Sequence, residues 1–346
     1  MAWNIGANDL ANAMGTVVGT GGLSIRQVIV LAAVFEFLGA VYFGSRVTET
    51  IAKGIVPIDR LGELGNPGNL GNGPAGLAGG VGGFPHMLAL GMLAAVLAAG
   101  FWVTFATFYN LPVSTSHASV GGMLGFGLAL AYRGIIPYSL IRWPVLARIV
   151  ASWLISPVLG AVLAFLLFVL IRTLVLHRVE KDVEKYFVGL QVITACYLAF
   201  AHGSNDVAGA VGPLSAAFAR LGLIGGEEVP AWLFMLGGVG MVLGLSTWGY
   251  RVIETVGSKI TELTPSRGFA AQFATASVVL LHSYVSLPIS TTHILVGSVI
   301  GVGLAGGLSA VDLSVVWKIV FSWIVTVPVA ALTSALLFLG FGALGV

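Results

Sequence analysis

A short polar motif occurs twice inside otherwise apolar sequence. Residues 6–13 are Gly-Ala-Asn-Asp-Leu-Ala-Asn-Ala, and residues 203–210 are Gly-Ser-Asn-Asp-Val-Ala-Gly-Ala. On a helix, Asn8, Asp9 and Asn12 share one side. A carboxylate in an apolar stretch is costly and marks a functional site by default, and carboxylate and amide oxygens suit hard cations. The motifs therefore predict a cation or proton site; the alternative, a capping Asn/Asp in a loop, is weakened by the repetition.

A second pattern is also doubled. Residues 111–117 are Leu-Pro-Val-Ser-Thr-Ser-His, and residues 287–293 are Leu-Pro-Ile-Ser-Thr-Thr-His. Proline interrupts a helix, and the Ser and Thr that follow favour a new helix start. The pattern predicts discontinuous helices whose N-termini offer unpaired N–H groups to an anion, because irregular backbone at membrane depth must line a cavity or be buried. The alternative is an ordinary turn outside the membrane. Hydroxyl donors would come from Ser114, Thr115, Ser116, Ser290, Thr291 and Thr292.

Histidines accompany these motifs. His117 and His293 follow the hydroxyl residues at matching positions. They could be ligands or proton relays, but a hydrogen bond that orients the helix start is the favoured interpretation. His202 lies one turn before Asp206 and could pair with it, whereas Ile5 stands at the matching position of the first motif.

The remaining acids divide into two kinds. Glu36 lies within an apolar run, which makes it a functional candidate, and its counterpart is Met241. Glu49 and Glu254 each follow an arginine by three residues. Each is interpreted equally well as an Arg–Glu pair at a helix end and as an ion ligand.

The elements that position these residues must lie in a membrane. Hydrophobic residues make up 57% of the 346 residues and charged residues 9%, with a mean hydropathy of +0.99. Soluble proteins carry about 25% charged residues. The 48 glycines fit closely packed membrane helices, and long apolar runs exceed the roughly 20 residues that cross a bilayer. The net charge of +2 indicates no nucleic-acid partner, and the single Cys196 excludes an intrachain disulfide.

Several apolar segments are predicted along the chain. The first, residues 1–20, is interrupted by the Asn-Asp motif, and a long Gly/Pro-rich loop separates the second and third. The stretch that contains Pro157 is either one kinked helix or two. The predicted elements are 1–20, a helix 28–45 with a polar extension to 55, a loop 57–85, an apolar helix 86–109, a Gly-rich helix ending near 131, and an apolar stretch 143–176.

The second half of the chain echoes the first. Four segments recur in the same order, including Arg148-Ile-Val-Ala-Ser-Trp153, which matches Lys318-Ile-Val-Phe-Ser-Trp323. The echoes predict an internal duplication, and in transporters such repeats are inverted or parallel and enclose a midplane site. The first repeat is expected over 1–176, a solvated charged linker over 177–187, and the second repeat over 188–346.

The doubled signatures Gly-Ala-Asn-Asp-Leu-Ala-Asn-Ala, Ala-His-Gly-Ser-Asn-Asp-Val-Ala and Leu-Pro-Ile-Ser-Thr-Thr-His resemble those of the inorganic phosphate transporter (PiT) family, over essentially the whole chain. The resemblance implies an all-α integral membrane protein of two inverted repeats with discontinuous helices or re-entrant hairpins, of about ten to twelve segments. It further implies a multi-pass protein of the plasma (inner) membrane. The activity implied is secondary active import of inorganic phosphate with sodium, or with protons, by alternating access.

Site residues follow from the resemblance position by position. Phosphate is expected at Asn8, Asp9, Ser114, Thr115, Asn205, Asp206, Ser290 and Thr291. Sodium is expected at Asn8, Asp9, Asn12, Glu49, Asn205, Asp206, Glu254 and Thr292, with Glu36 as the coupling or proton-carrying acid. The sequence departs from the family pattern at Gly209, where a second Asn is usual, and at Gln272, where many members have Glu.

Rival functions differ in substrate or class. A sulfate permease of the same family is disfavoured because sulfate has no proton to donate to Asp9 or Asp206. An anion channel is disfavoured by buried acids between repeats. A hydrolase built on Ser114 and His117 would need an activated nucleophile and an oriented base, and it is disfavoured because two duplicated sites are an unlikely design for an enzyme. The expectation is thus no enzyme, no organic cofactor and no nucleic acid. Phosphate and lipid are the partners, and a homodimer is one arrangement left open. The sequence decides neither the membrane orientation nor the coupling ion, and the first motif begins so close to Met1 that a truncated start is one interpretation.

Overall fold

Helices are the only regular secondary structure among the residues that the structure describes. A computed structural model describes residues 1–57, 83–176, 183–225, 228–253, 263–307 and 312–343. The helices are α1 (Ala2–Gly19), α2 (Ile25–Phe43), α3 (Ser45–Lys53), α4 (Gly83–Phe108), α5 (Thr115–Tyr132), α6 (Trp143–Ile171), α7 (Val183–Asp206), α8 (Ala208–Arg220), α9 (Ala231–Trp248), α10 (Pro265–Tyr284), α11 (Thr291–Leu304) and α12 (Leu313–Ala343). A 3₁₀ turn at Tyr138–Leu140 precedes α6, and a π turn at Arg172–Leu176 ends it.

Six segments of the described chain are long and apolar enough to cross a membrane. They are Ile25–Phe43, Gly83–Phe108, Trp143–Leu176, Val183–Arg220, Ala231–Trp248 and Val316–Ala343. These spans confirm a multi-pass, all-α membrane protein. The larger total of about ten to twelve segments stays a prediction, because α1, α5 and α10 are less apolar than these six segments and α11 is shorter.

Several predicted boundaries differ from the structure. α1 continues through the first Asn-Asp motif instead of being interrupted by it, whereas the second motif does end a helix: α7 stops at Asp206 and α8 begins at Ala208. α6 continues through Pro157 as one helix. α4 begins at Gly83, inside the segment predicted as loop, and α7 begins at Val183, inside the predicted linker. Packing against neighbouring helices extends both beyond what local composition indicates.

The two motif-bearing helices, α1 and α7, run antiparallel. Thr20, after the end of α1, donates its hydroxyl to the side-chain oxygen of Gln191 near the start of α7 (2.8 Å). Earlier in α1, Asp9 contacts His202 near the end of α7 (3.5 Å). Later residues of α1 therefore contact earlier residues of α7, as antiparallel helices require.

The next pair of matching helices, α2 and α9, is also antiparallel. Gly44, which follows α2, lies against Phe234 in the first turn of α9, while Phe37 inside α2 lies against Gly238 further along α9. Helices at equivalent positions of the two halves thus point in opposite directions, as inverted repeats require. The inverted repeat stays a prediction, and these directions support it.

Glycines bring helices of opposite halves close together. In α1, Gly6 packs on the backbone carbonyl of Met241 in α9, and in α7 the matching Gly203 packs on the carbonyl of Glu36 in α2. A Cβ at either glycine would overlap that carbonyl, so only glycine permits this approach. The close approach of α2 to α7 places Glu36 beside the second motif.

Candidate functional site

Two short helices begin inside the molecule, as the Leu-Pro-x-Ser-Thr-x-His pattern predicts. Ser114 caps α5 by accepting a hydrogen bond from the backbone N–H of His117 (3.1 Å), and Ser290 caps α11 by accepting one from His293 (3.2 Å). Both capping serines are buried. The N-termini of α5 and α11 therefore open into the protein interior, where their N–H groups favour an anion.

Asn8 holds the chain segment that leads into α5. Its side-chain nitrogen donates to the hydroxyl of Thr107 (2.9 Å) and to the carbonyl of Leu111 (3.0 Å). Its side-chain oxygen accepts from the backbone N–H of Val113 (3.2 Å). Asn110, between these partners, has a positive φ of 56°, a conformation that Asn tolerates better than most residues.

Asn205 makes the same three bonds in the second half. Its nitrogen donates to the hydroxyl of Ser283 (2.9 Å) and to the carbonyl of Leu287 (3.4 Å), and its oxygen accepts from the N–H of Ile289 (3.3 Å). Ser286, which matches Asn110, also has a positive φ, of 59°. The two asparagines thus position the helix breaks, a role that sequence reasoning did not assign to them.

Asp9 is surrounded by donors from both halves. Its carboxylate accepts from the hydroxyl of Thr115 (2.7 Å), the amide of Asn12 (2.8 Å) and the hydroxyl of Thr292 (3.4 Å). Asn12 also donates to Thr292 (2.8 Å). Thr115 belongs to α5 and Thr292 to α11, so Asp9 contacts the starts of both short helices.

Asp206 has the reciprocal arrangement. Its carboxylate accepts from Thr291 of α11 (2.7 Å) and from Ser116 of α5 (2.9 Å). The positions are equivalent: Thr115 and Thr291 bind the aspartate of their own half, and Ser116 and Thr292 bind that of the other half. The structure therefore brings both carboxylates and four hydroxyls together, all of them buried.

His202 joins three carboxylates at the centre of this cluster. One ring nitrogen, Nε2, lies 2.9 Å from Asp206 and 3.5 Å from Asp9, while Nδ1 lies 3.1 Å from Glu36. All four side chains are buried. The i, i+4 spacing to Asp206 indicated that first contact, but nothing in the sequence placed Glu36 on the opposite side of the ring.

The charge balance of the cluster favours a bound cation or proton. One imidazole cannot neutralise three carboxylates, and buried charge without a partner is strongly destabilising. One ligand atom from each of Asp9, His202 and Asp206 lies within 4.8 Å of the other two. The side-chain oxygen of Asn12 has no hydrogen-bond partner among the described residues. These oxygens are of the type that hard cations such as sodium take.

Some predicted ligands lie elsewhere. Glu49 is at the surface, with its side chain 75% exposed and 3.6 Å from Lys53, so the structure does not bring it to the cluster. Glu254 lies outside the described residues. Arg46, the predicted partner of Glu49, instead lies over the ring of Tyr284 (4.9 Å). An apolar cavity of about 740 Å³ between α4, α8 and α9 includes none of the predicted site residues.

His117 and His293 form a separate stack of rings. Their centroids are 4.3 Å apart, and each also packs on a tryptophan: Trp153 lies 3.7 Å from His117, and Trp323 lies 3.6 Å from His293. The stack joins α5, α6, α11 and α12. Neither histidine is bonded to the carboxylates, which fits a positioning role for the short helices.

The two departures from the family pattern have physical consequences. A Cβ at Gly209 would lie 2.6 Å from the hydroxyl oxygen of Ser119, so a larger residue there would require the Ser119 hydroxyl to move. Gln272 accepts from the hydroxyl of Thr194 (3.0 Å) and donates to the carbonyl of Ala13 (3.0 Å), away from the two aspartates. The cluster is therefore doubled in its framework but not in its ligands.

Known proteins match nearly the whole chain. The phosphate transporter family matches residues 5–334. The chain belongs to this family. A protein of Pyrococcus abyssi named as a phosphate permease is 39% identical over 98% of this chain and 94% of its own length. Inorganic phosphate transporter 2-1, chloroplastic, of Arabidopsis thaliana is 38% identical over 96% of this chain and 68% of its own length.

A solved structure agrees with the fold. The chain is similar to a structure described as the sodium-dependent phosphate transporter, with a TM-score of 0.86 and 37% identity over 99% of this chain and 96% of the other. Membership of the phosphate transporter family makes this chain a multi-pass phosphate transporter of the membrane rather than an enzyme, as the doubled signatures predict.

Proposed function

We propose that this phosphate transporter imports inorganic phosphate by symport with sodium ions, through alternating access around the cluster of Asp9, Asp206, Glu36 and His202. The observation that supports the proposal is that hydrogen-bond donors and carboxylates lie together in one buried cluster. Two helix N-termini offer donors to an anion, and an excess of carboxylates needs a cation. A phosphate that moves together with sodium satisfies both requirements.

Phosphate would lie between the starts of α5 and α11. The N–H groups of the first turns and the hydroxyl protons of Ser114 and Ser290 offer hydrogen bonds to its oxygens. The hydroxyls of Thr115 and Thr291 donate to Asp9 and Asp206, and so position these carboxylates beside the phosphate. Phosphate near neutral pH keeps a proton, which an ionised Asp9 or Asp206 accepts. Capping uses the serine oxygens only as acceptors, so it leaves the hydroxyl protons of Ser114 and Ser290 available to phosphate. The amides of Asn8 and Asn205 already bind the breaks, so their contribution to phosphate binding is through positioning.

Sodium would bind next to Asp9 and Asp206, with the free amide oxygen of Asn12 and the hydroxyl of Thr292 as further ligands. Sodium lowers the negative potential that would otherwise repel phosphate. A ligand can only shift a conformational equilibrium by its differential affinity for the two states. The switch between membrane faces therefore follows occupancy by both substrates, and the sodium-dependent transporter with the same fold supports this ion.

Phosphate uptake into proteoliposomes, with sodium and proton gradients imposed separately, tests the proposal. Uptake driven by the sodium gradient alone is the expected result. Uptake that proceeds equally without either gradient would indicate a channel and contradict symport. Equimolar sulfate is expected not to compete, and strong competition would favour a sulfate permease.

Proton coupling is the second candidate, because Glu36 and His202 form a buried pair of proton-binding groups 3.1 Å apart. The pair is present in one half only, since Met241 and Ile5 stand at the matching positions. Uptake driven by a proton gradient in the absence of sodium would favour this candidate over sodium symport.

A further inference from the structure

A basic basin of about 510 Å³ opens at one surface of the molecule. Among the residues that the structure describes, its charged lining consists of Arg46, Lys53, Arg142 and Arg148 with Glu49 as the one acid, and the formal charges of these five sum to +3. Lys53 is partly neutralised by Glu49 at 3.6 Å. A concave surface lined by one sign of charge raises the local concentration of ions of opposite sign. The basin therefore suits an oxyanion.

The floor of the basic basin adjoins the phosphate site. Val285, Ser286 and Leu287 line the basin, and they belong to the break that leads into α11. The carbonyl of Leu287 accepts a hydrogen bond from Asn205 (3.4 Å), and Asn205 precedes Asp206 of the central cluster. A short stretch of backbone at Leu287 is thus shared by the basin and the site.

The basin walls are tied to this floor. The hydroxyl of Thr50 in α3 donates to the carbonyl of Ser286 (2.7 Å), and the guanidinium of Arg46 lies over the ring of Tyr284 (4.9 Å). The backbone N–H of Arg142 donates to the carbonyl of Ile55 (3.1 Å), which joins the start of α6 to the segment after α3. These bonds hold the basic side chains around the break.

The opposite surface has a different charge at an equivalent position. Arg148 matches Lys318, but Arg142, at the start of α6, matches Asp312, at the start of α12. The carboxylate of Asp312 accepts from the N–H of Ser314 (2.9 Å) and caps that helix. The antiparallel directions of matching helices place these two starts at opposite ends of the molecule. At this position the matched residues are therefore basic at one face and acidic at the other, whereas Arg46 and Arg148 match the basic Arg251 and Lys318.

We propose that the basic basin is a recruitment site for dissolved inorganic phosphate, from which phosphate passes Leu287 to reach the central cluster. The proposal rests on phosphate transport by the cluster and adds a second, outer site on one face only. Because recruitment raises the local phosphate concentration, removal of basin charge affects the phosphate concentration needed for half-maximal transport rather than the rate at saturation.

The test compares the wild-type protein with R142Q/R148Q in right-side-out and inside-out membrane vesicles. KM for phosphate is expected to rise about tenfold from one face, with an unchanged maximal rate, and to be unchanged from the other face. Added salt is expected to reduce the difference, since it screens exposed charge. Recovery of KM in R142K/R148K would show that charge, rather than shape, is responsible.

R26Q is the matched control. Arg26 is exposed in the first turn of α2, whereas Arg46 lies in α3, beyond the other end of α2, and α2 is about 28 Å long. R26Q is expected to leave KM at the basin face unchanged. An equal rise in R26Q, or an unchanged KM at both faces of R142Q/R148Q, would overturn the proposal. A wild-type protein that takes up no phosphate would instead overturn the proposed function.

Lipid headgroups also contain phosphate groups that the basin could bind. A second experiment therefore distinguishes dissolved phosphate from lipid as the ligand. The comparison is repeated in proteoliposomes of phosphatidylcholine with and without phosphatidylglycerol. A raised KM in both lipid compositions supports dissolved phosphate as the ligand. A raised KM only where phosphatidylglycerol is present would assign the basin to lipid and overturn the proposal.

Discussion

At the scale of single residues, the site depends on two aspartates that each receive hydroxyl donors from both short helices. Asp9 is bound by Thr115 and Thr292, and Asp206 by Thr291 and Ser116. The hydrogen bonds of each carboxylate therefore depend on the positions of both α5 and α11. A bound cation or phosphate that alters these bonds can change how the two halves fit together, which is the requirement for coupling.

Asp9→Asn and Asp206→Asn are each expected to abolish phosphate uptake. The amide keeps the shape but loses the charge that binds sodium and accepts the proton of phosphate. Uptake of radioactive phosphate into proteoliposomes measures the effect. Asp312→Asn is the control, because Asp312 is an exposed cap of α12 and should leave uptake intact. Full activity in both buried variants would refute the proposed site.

Glu36→Gln is expected to lower uptake by at least about tenfold, which corresponds to about 1.4 kcal/mol. The substitution removes one of the three charges around the His202 ring but retains a polar side chain of nearly the same size. Glu49→Gln is the control: Glu49 is exposed and distant from the cluster, so its maximal rate should match the wild-type protein. If Glu49→Gln lost activity and Glu36→Gln did not, the two acids would have been assigned the wrong roles.

At the scale of helices, the site is assembled by close packing between the halves. Gly244 in α9 packs on the carbonyl of Trp3 in α1, and the matching Gly39 in α2 packs on the carbonyl of Phe200 in α7. These contacts set the distance between each motif-bearing helix and a helix of the other half. Small residues at such crossings let backbones approach, and van der Waals packing then supplies the stability.

Gly244→Ala is expected to destabilise the protein by about 1–3 kcal/mol, because the added methyl overlaps the carbonyl of Trp3 and the helices must separate. A lower Tm in detergent would show the effect. Gly189→Ala is the matched control, since Gly189 is exposed within α7 and a Cβ there meets nothing within 4 Å. An equal Tm for both variants would mean that the α1–α9 crossing does not depend on glycine.

At the scale of the whole molecule, matching helices of the two halves point in opposite directions. Equivalent helix ends are therefore expected on opposite sides of the membrane. The starts of α6 and α12 occupy equivalent positions, and inverted repeats place them on opposite faces. Arg133, which follows α5 on the way to α6, lies against Gly342 at the end of α12. The end of α12, rather than its start, is therefore on the side where α6 begins.

Cysteine labelling tests this topology. In a Cys196→Ser background, Ser139→Cys precedes α6 and Ser314→Cys lies in the first turn of α12; both positions are exposed. A membrane-impermeant thiol reagent applied to intact cells is expected to label one of them and not the other. Ser45→Cys, at the start of α3, is expected to behave like Ser139→Cys. Labelling of Ser139→Cys and Ser314→Cys together would indicate parallel repeats.

The sequence by itself determined the class of protein and the polar motifs and predicts the duplication, because these follow from composition and local pattern. A chain with 9% charged residues cannot cover a soluble surface, and a proline followed by hydroxyl residues starts a helix wherever it lies. The helix breaks and the serine caps are thus predictable from a few adjacent residues, and so is the i, i+4 contact of His202 with Asp206.

Only the tertiary structure decided which of the polar residues share one site. The sequence offered both acids as site residues, Glu36 as the coupling acid and Glu49 as an ion ligand. The close approach of α2 to α7 buries Glu36 against His202, whereas Glu49 stays at the surface. The cross-bonds from Ser116 to Asp206 and from Thr292 to Asp9 depend on the same packing of the halves. Local pattern fixes where a helix begins, but contacts between distant segments depend on how whole helices pack, and that is information that short-range spacing does not contain.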